Sequence, residues 1–76
     1  MINDDLPILK PKKIISVLKK LGFSVIKTRN NHKLLMHQDL RRTIIPLHKN
    51  RPISPILLDR ILKDISVGIA EFSKYL

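Results

Sequence analysis

The spacing of hydrophobic residues predicts that the chain opens with an amphipathic helix. Pro11 suits the first turn of a helix, and Gly22 is a typical residue at a helix end. Between them lysines occupy one side of the helix, and apolar residues recur at helical spacing on the other side: Ile14, Ile15, Leu18 and Leu21. The pattern predicts a helix over residues 11–21 with one apolar stripe and one cationic face.

The next part of the chain has the composition of short β-strands separated by turns. Aromatic and β-branched residues alternate with polar ones, and three strands are predicted over residues 23–29, 32–37 and 41–45. Asn30-Asn31 tolerates the positive φ angles of a tight hairpin, and Gln38-Asp39-Leu40 forms a second turn. Pro46 closes the third strand. These segments predict a three-stranded antiparallel meander.

Helical periodicity returns in the last third of the chain. Ser54 is placed as an N-cap, with Pro55 at the first helical position. The apolar stripe that follows contains Ile56, Leu57, Leu58, Ile61, Leu62 and Ile65. Ser66 is expected to cap a short last helix that carries Ile69, Phe72 and Leu76. The predicted fold is a single α+β domain over residues 1–76, ordered α-β-β-β-α, with helices on one sheet face and a short C-terminal helix.

Positive charge is concentrated in the middle of the chain. The 15 Lys and Arg residues exceed the 6 Asp and Glu residues, which gives a net charge of +9. Residues 10–51 alone carry +11, whereas residues 1–9 carry −2 and residues 52–76 are balanced. Such clustering favours a polyanionic partner, nucleic acid above all, over a generally solvated surface. A basic membrane helix is disfavoured because the bases are spread over several predicted elements.

The composition excludes several classes of protein. The sequence has no cysteine, which rules out disulfides, thiolate zinc sites and a cysteine nucleophile. It has no apolar run of the roughly 18 residues that a bilayer requires. Residues 1–5 are acidic, unlike a secretory signal, so we expect a soluble cytoplasmic protein. A chain of 76 residues also predicts a shallow site near the surface.

Three histidines are the candidates for proton transfer near neutral pH: His32, His37 and His48. His32 and His37 are five residues apart, so a flat strand directs them to opposite faces, and no metal site is expected unless a bulge redirects one of them. His32 is the favoured candidate because it directly follows the predicted hairpin turn. His37 and His48 are supporting candidates only.

The surroundings of His32 combine a base with cations that can hold a phosphate. Arg29 and Lys33 lie beside it in the sequence, and Arg41 and Arg42 are expected on a paired strand. In RNA, a 2′-hydroxyl deprotonated by His32 could attack the adjacent phosphate while the cations stabilise the developing charge, although attack by water is an alternative. The residues are therefore compatible with phosphodiester chemistry on RNA.

Two segments resemble the HicA (YcfA-like) toxins of bacterial and archaeal toxin–antitoxin systems, which are small mRNA interferases. The first, LPILKPKKIISVLKKLGFSVIKTRNNHKLLMH, is similar to the opening helix of the family, its "LGF" and first strand, and its Gly-Ser-His-His stretch. The second, RRTIIPLHKNRPISPILLDRILKDI, is similar to the "VPxH" strand end and second helix. The resemblance implies the fold of a double-stranded-RNA-binding domain.

The resemblance also implies roles for individual residues. His32 matches the catalytic histidine, and Asn30, Asn31 and Lys33 form the supporting site, where the family has Gly, Ser and a second His. These departures leave open a degenerate toxin. The implied activity is a metal-independent endoribonuclease without a cofactor, acting on mRNA and neutralised by a HicB-type antitoxin. The candidate RNA-binding cations are Lys27, Arg29, Arg41, Arg42, Lys49 and Arg51.

Two other functions remain open from the residues. A noncatalytic module of the double-stranded-RNA-binding type needs cations but no histidine at a hairpin, so the Asn31-His32-Lys33 site distinguishes the two. A role in binding a protein partner is suggested by the consecutive apolar residues 34–36 and 44–45, which place apolar side chains on both faces of the sheet. A strand bulge, or a core that wraps the sheet edge, would explain the same pattern.

Overall fold

A computed structural model describes residues 6–76, so the acidic residues 1–5 lie outside the described part of the chain. The elements follow in the order α1 (Pro11–Lys20), β1 (Ser24–Arg29), β2 (His32–Met36), β3 (Arg42–Pro46), a 3-10 turn (His48–Asn50), α2 (Pro55–Ile65) and α3 (Ile69–Ser73). The predicted α+β fold with α-β-β-β-α order is confirmed.

A glycine follows the C-cap of α1, and its conformation and surroundings both disfavour a side chain. Gly22 has a φ of +99°, a region that residues with a Cβ atom rarely adopt. A Cβ placed on Gly22 would lie 2.9 Å from Nε2 of His37. The glycine therefore lets the chain leave α1, turn sharply and enter the sheet beside His37.

The sheet is an antiparallel meander with strand order β1-β2-β3. Asn30 and Asn31 have φ angles of 49° and 63°. A two-residue hairpin turn of type I′ requires positive φ at both of its central residues. The pairing shifts by one residue between Val25 and Lys27, so the bulge lies in β1. In β2 and β3 the alternation of faces is regular.

The helices cover one face of the sheet and leave the other open. Leu35 of β2 and Ile45 of β3 are fully buried beneath the helices, whereas Ile44, on the other face of β3, is 55% exposed. The consecutive apolar residues 44–45 thus place Ile44 on the open face of the sheet. The bulge lies in β1 and does not bury this side chain. At the helix side, the Thr43 hydroxyl donates to Asp64 Oδ2 over 3.0 Å and fixes β3 against α2.

The second helix begins as predicted, but its end differs from the expectation. Ser54 is the N-cap, since its Oγ accepts the Leu57 N–H over 3.2 Å. Ser66 does not cap α3. It ends α2 in a left-handed conformation with φ 55°, and the Val67 N–H bonds back to the Leu62 carbonyl over 3.1 Å.

The cap of α3 is Gly68, and the helix is shorter than its apolar spacing suggests. An N-cap residue requires extended backbone, which Gly68 has and Ser66 lacks. Phe72 is fully buried, but Leu76 lies beyond the helix and is 43% exposed. In residues 6–76 no helix is long and apolar enough to cross a membrane.

Replacing Gly22 with alanine is expected to destabilise the fold by about 1 to 2 kcal/mol, because the new Cβ meets His37 and the positive φ becomes strained. Urea denaturation measures the change in the free energy of unfolding. Gly68→Ala is the comparison variant, since nothing lies within 4 Å of its Cβ position and its cost is limited to the exchange of glycine for alanine at the α3 N-cap. Equal stability of the two variants would contradict the role given to Gly22.

Candidate functional site

His32 is the first residue of β2 and is exposed at the hairpin end of the sheet. Its Nδ1 lies 2.7 Å from the carbonyl oxygen of Asn30. A carbonyl oxygen can only accept, so Nδ1 carries the hydrogen and Nε2 of the neutral ring keeps its lone pair. The turn therefore orients the imidazole with Nε2 available to take a proton.

A second histidine lies against the first. The rings of His32 and His48 have centroids 5.8 Å apart and planes inclined at 78°, an edge-to-face arrangement. His48 reaches this position because Pro46, at the end of β3, pairs with His32 in the sheet register. The Leu47 N–H then donates to the Asn31 carbonyl over 2.7 Å, which joins the loop to the hairpin turn.

The segment that carries His48 has an uncommon backbone. His48, Lys49 and Asn50 have φ angles of 27°, 53° and 59°, three successive non-glycine residues with positive φ. The Asn50 side chain accepts the Lys12 N–H over 3.3 Å, and this bond connects the segment to the first turn of α1. The segment is therefore held from two sides, by the hairpin and by α1.

An open groove of about 770 Å³ starts beside the histidine pair. Its lining residues come from the hairpin turn, the end of β3, the His48 segment and the start of α2: Asn31, Pro46, His48, Lys49, Arg51, Pro52, Ile53, Ser54 and Leu57. Lys49 and Arg51 are both exposed. The groove thus offers a shallow surface that carries two cations and the His48 imidazole, suited to an anionic ligand.

Two further predicted cations lie on the sheet face that bears His32. Arg29 pairs directly with His32, and Lys27 pairs with Leu34, two residues further along β2 on the same face. Both side chains are exposed. The structure therefore brings Arg29, Lys27, Lys49 and Arg51 to the half of the molecule that contains the histidine pair.

Lys33 is directed away from this site. It follows His32 in a regular strand, and its side chain lies on the opposite face. There it lines a separate groove of about 430 Å³ beside α1, together with Lys12, Ile15, Ser16, Lys19 and Lys20. Of the sequence-predicted supporting residues, the two asparagines are at the His32 site and Lys33 is not.

Arg41 and Arg42 lie at the other end of the sheet. Arg42 pairs with Met36, four residues before Pro46, which corresponds to about 13 Å of strand. The Arg41 Nε donates to Asp39 Oδ2 over 2.8 Å, its Nη1 donates to the Ile65 carbonyl, and its guanidinium lies 5.3 Å from the Phe23 ring. Arg41 thus has intramolecular partners that connect the second turn with α2.

His37 belongs to the same corner as Arg41. Its ring packs edge-on against Phe23 with centroids 5.2 Å apart, and its Nδ1 accepts the Asp39 N–H over 3.1 Å. Hydrogen bonds from the Arg41 backbone and side chain lower the pKa of Asp39. These contacts give His37 a structural role at the far end of the sheet from His32.

Sequence reasoning missed the pairing of His48 with His32. The available signal was the meander itself, because the end of the third strand must lie beside the start of the second. Among residues 6–76, no three His, Cys, Asp or Glu residues are grouped closely enough to hold a metal ion.

The fold and site define a small basic α+β domain with a histidine pair at a hairpin end and a cationic groove beside it. The family described as HicA toxin of bacterial toxin–antitoxin systems matches residues 11–67, from α1 to just beyond α2. The chain therefore belongs to the HicA toxin family, which confirms the resemblance found in its sequence. A comparison with curated proteins gave no significant match.

Proposed function

We propose that this protein is the toxin of a toxin–antitoxin pair and acts as a metal-independent endoribonuclease on mRNA, with His32 as general base. The observation that carries the proposal is the exposed imidazole of His32, held through Nδ1 by Asn30 and directed at solvent beside a cationic groove. A histidine held in this way is suited to proton transfer near neutral pH.

The proposed reaction uses a nucleophile that RNA already contains. His32 removes the proton of a 2′-hydroxyl through Nε2, and the 2′-oxygen attacks the adjacent phosphorus. Charge that develops on the phosphate oxygens is stabilised by cations. Lys49 and Arg51, which line the groove, are assigned this role. Arg29 and Lys27 then contact neighbouring phosphates along the sheet face. The open groove accommodates an unpaired strand, so single-stranded mRNA is the preferred substrate.

A noncatalytic RNA-binding module is the second candidate, and the lysine groove beside α1 favours it. Four lysines line that groove, on the side of β2 opposite His32, and binding of a phosphate backbone there requires no histidine. The two candidates differ in the effect of removing His32. The removal abolishes cleavage by a ribonuclease, whereas it leaves the RNA affinity of a noncatalytic module unchanged.

The antitoxin is proposed to be of the HicB type and to cover the open face of the sheet. Ile44 is 55% exposed there and pairs with Leu34 of β2. Both residues line a groove of about 570 Å³ between the sheet and α2, with Arg42 and Arg60 also in its lining. An apolar surface with cations at its margin fits a partner that presents apolar and acidic side chains.

His32→Ala is expected to lower the rate of transcript cleavage about 100- to 10,000-fold in buffer with EDTA, because a general base contributes this much. Gel electrophoresis of a labelled transcript measures the rate. His37→Ala is the matched control, since it removes a histidine from the far corner of the sheet. Circular dichroism establishes that both variants are folded. Equal cleavage by His32→Ala, or no cleavage by the wild type, would contradict the proposal.

Replacing Lys49 and Arg51 with glutamine is expected to lower the affinity for RNA and to make that affinity less sensitive to salt concentration. Each lost phosphate contact lowers the slope of log K against log salt concentration by about 0.7 for a single strand. Fluorescence anisotropy with 2′-O-methyl RNA, which this chemistry cannot cut, measures binding at several salt concentrations. An unchanged slope would exclude both residues from the interface.

The control for this measurement is Lys74→Gln. Lys74 precedes Tyr75, whose carbonyl accepts a hydrogen bond from Lys20 at the C-terminal end of α1. The segment that carries Lys49 contacts α1 at Lys12, through the Asn50 side chain. The helix between these two contacts is about 12 Å long. A Lys74 effect as large as that of the groove residues would indicate nonspecific attraction by net charge.

Ile44→Ser is expected to weaken antitoxin binding about tenfold, since burial of an isoleucine contributes about 1.5 kcal/mol or more. Calorimetry with the proposed HicB-type antitoxin measures the affinity. Ile56→Ser is the matched control, because Ile56 is 66% exposed on α2 and is absent from the groove lining. Equal affinities for the two variants would contradict this placement of the antitoxin.

A further inference from the structure

We propose that His48 is a second catalytic residue, the general acid that protonates the 5′-oxygen of the leaving nucleotide. This inference rests on the proposed ribonuclease activity and adds to it, because a single base at His32 leaves the departing oxygen without a proton donor. The two imidazoles then form a base–acid pair that acts on one phosphodiester.

The ring geometry carries the inference. The His32 and His48 centroids are 5.8 Å apart and the ring planes are inclined at 78°. At this separation one phosphodiester can contact both imidazoles, and both side chains are exposed to solvent. His48 also lines the open groove, where His37 does not. His48 is thus placed to touch a substrate that His32 activates.

The backbone around His48 provides an independent observation. His48 has a φ of 27° and the next two residues have φ angles of 53° and 59°. Non-glycine residues in such conformations cost free energy, and they occur preferentially at functional sites. Here the conformation is maintained by the Leu47 N–H bond to Asn31 and by the Arg51 N–H, which donates to the His48 carbonyl over 3.0 Å.

The proton balance of the step is complete with these two groups. His32 begins neutral and takes the proton of the 2′-hydroxyl as the bond between the 2′-oxygen and phosphorus forms. His48 begins protonated and gives its proton to the 5′-oxygen as the bond from phosphorus to that oxygen breaks. The products are a 2′,3′-cyclic phosphate and a 5′-hydroxyl, and solvent exchange returns both rings to their starting states.

The test compares two RNA substrates. The cleavage site is first mapped in an ordinary oligoribonucleotide, and the 5′-oxygen of that linkage is then replaced with sulfur. A thiolate leaves without a proton, so this linkage does not need a general acid. We expect His48→Ala to cut ordinary RNA about 100- to 10,000-fold more slowly than the wild type. On the sulfur linkage its rate should lie within about tenfold of the wild-type rate, whereas His32→Ala remains slow on both substrates.

The outcomes separate this inference from the proposed function. A His48→Ala rate on ordinary RNA equal to the wild-type rate, or an equal loss on both linkages, would overturn the role of His48 and leave that of His32 intact. Failure of the wild type to cut either substrate would refute the ribonuclease and the inference together. Thermal unfolding establishes that the variant is folded, and His48→Gln, which cannot supply the proton, replaces it if the alanine variant does not fold.

Discussion

The hydrogen bond from the Leu47 N–H to the Asn31 carbonyl is the contact on which the candidate site depends. Asn31 can offer its carbonyl to the loop after β3 because the hairpin turn holds it at a φ of 63°. The same turn directs the Asn30 carbonyl at Nδ1 of His32. One two-residue turn therefore fixes the orientation of one imidazole and the position of the segment that carries the other. The β3 register brings Pro46 beside His32, and this bond continues the contact through Leu47 to the segment that carries His48.

The fold divides the cationic segment of the chain among different surfaces. Lys49 and Arg51 line the groove that contains His48. The α1 lysines and Lys33 line a groove on the other side of β2, and Arg42 lies at the far end of β3. The first group lines the same groove as His48, and Arg29, which pairs with His32, is the other cation beside the histidine pair. The others contribute to the attraction of a polyanion through the field of the whole surface. A site at the edge of a thin sheet suits a domain too small to enclose a substrate.

The sequence pattern was sufficient for the elements but not for the contacts between them. Local signals gave the α1 start at Pro11, the Asn30-Asn31 turn and the Ser54 cap, because each depends on the residue's own backbone preference. Ser66 was misassigned, since a serine next to a helix can begin or end it and only the left-handed backbone decides. The role of Arg41 could not be predicted either, because its partners Phe23 and Ile65 come from distant parts of the sequence.

The placement of residues 30–33 bears on whether the departures from the family pattern weaken the site. Both asparagines adopt positive φ angles, which asparagine tolerates better than most residues, so the turn survives the loss of Gly-Ser. Nδ1 of His32 is held by a backbone carbonyl, a group that any residue at position 30 supplies. Lys33 lies on the opposite face of β2, so exchanging the second histidine for lysine removes nothing from the His32 surface. A second imidazole at that surface comes from position 48, which matches the histidine of the family's "VPxH" strand end. These features support the proposed activity of this site.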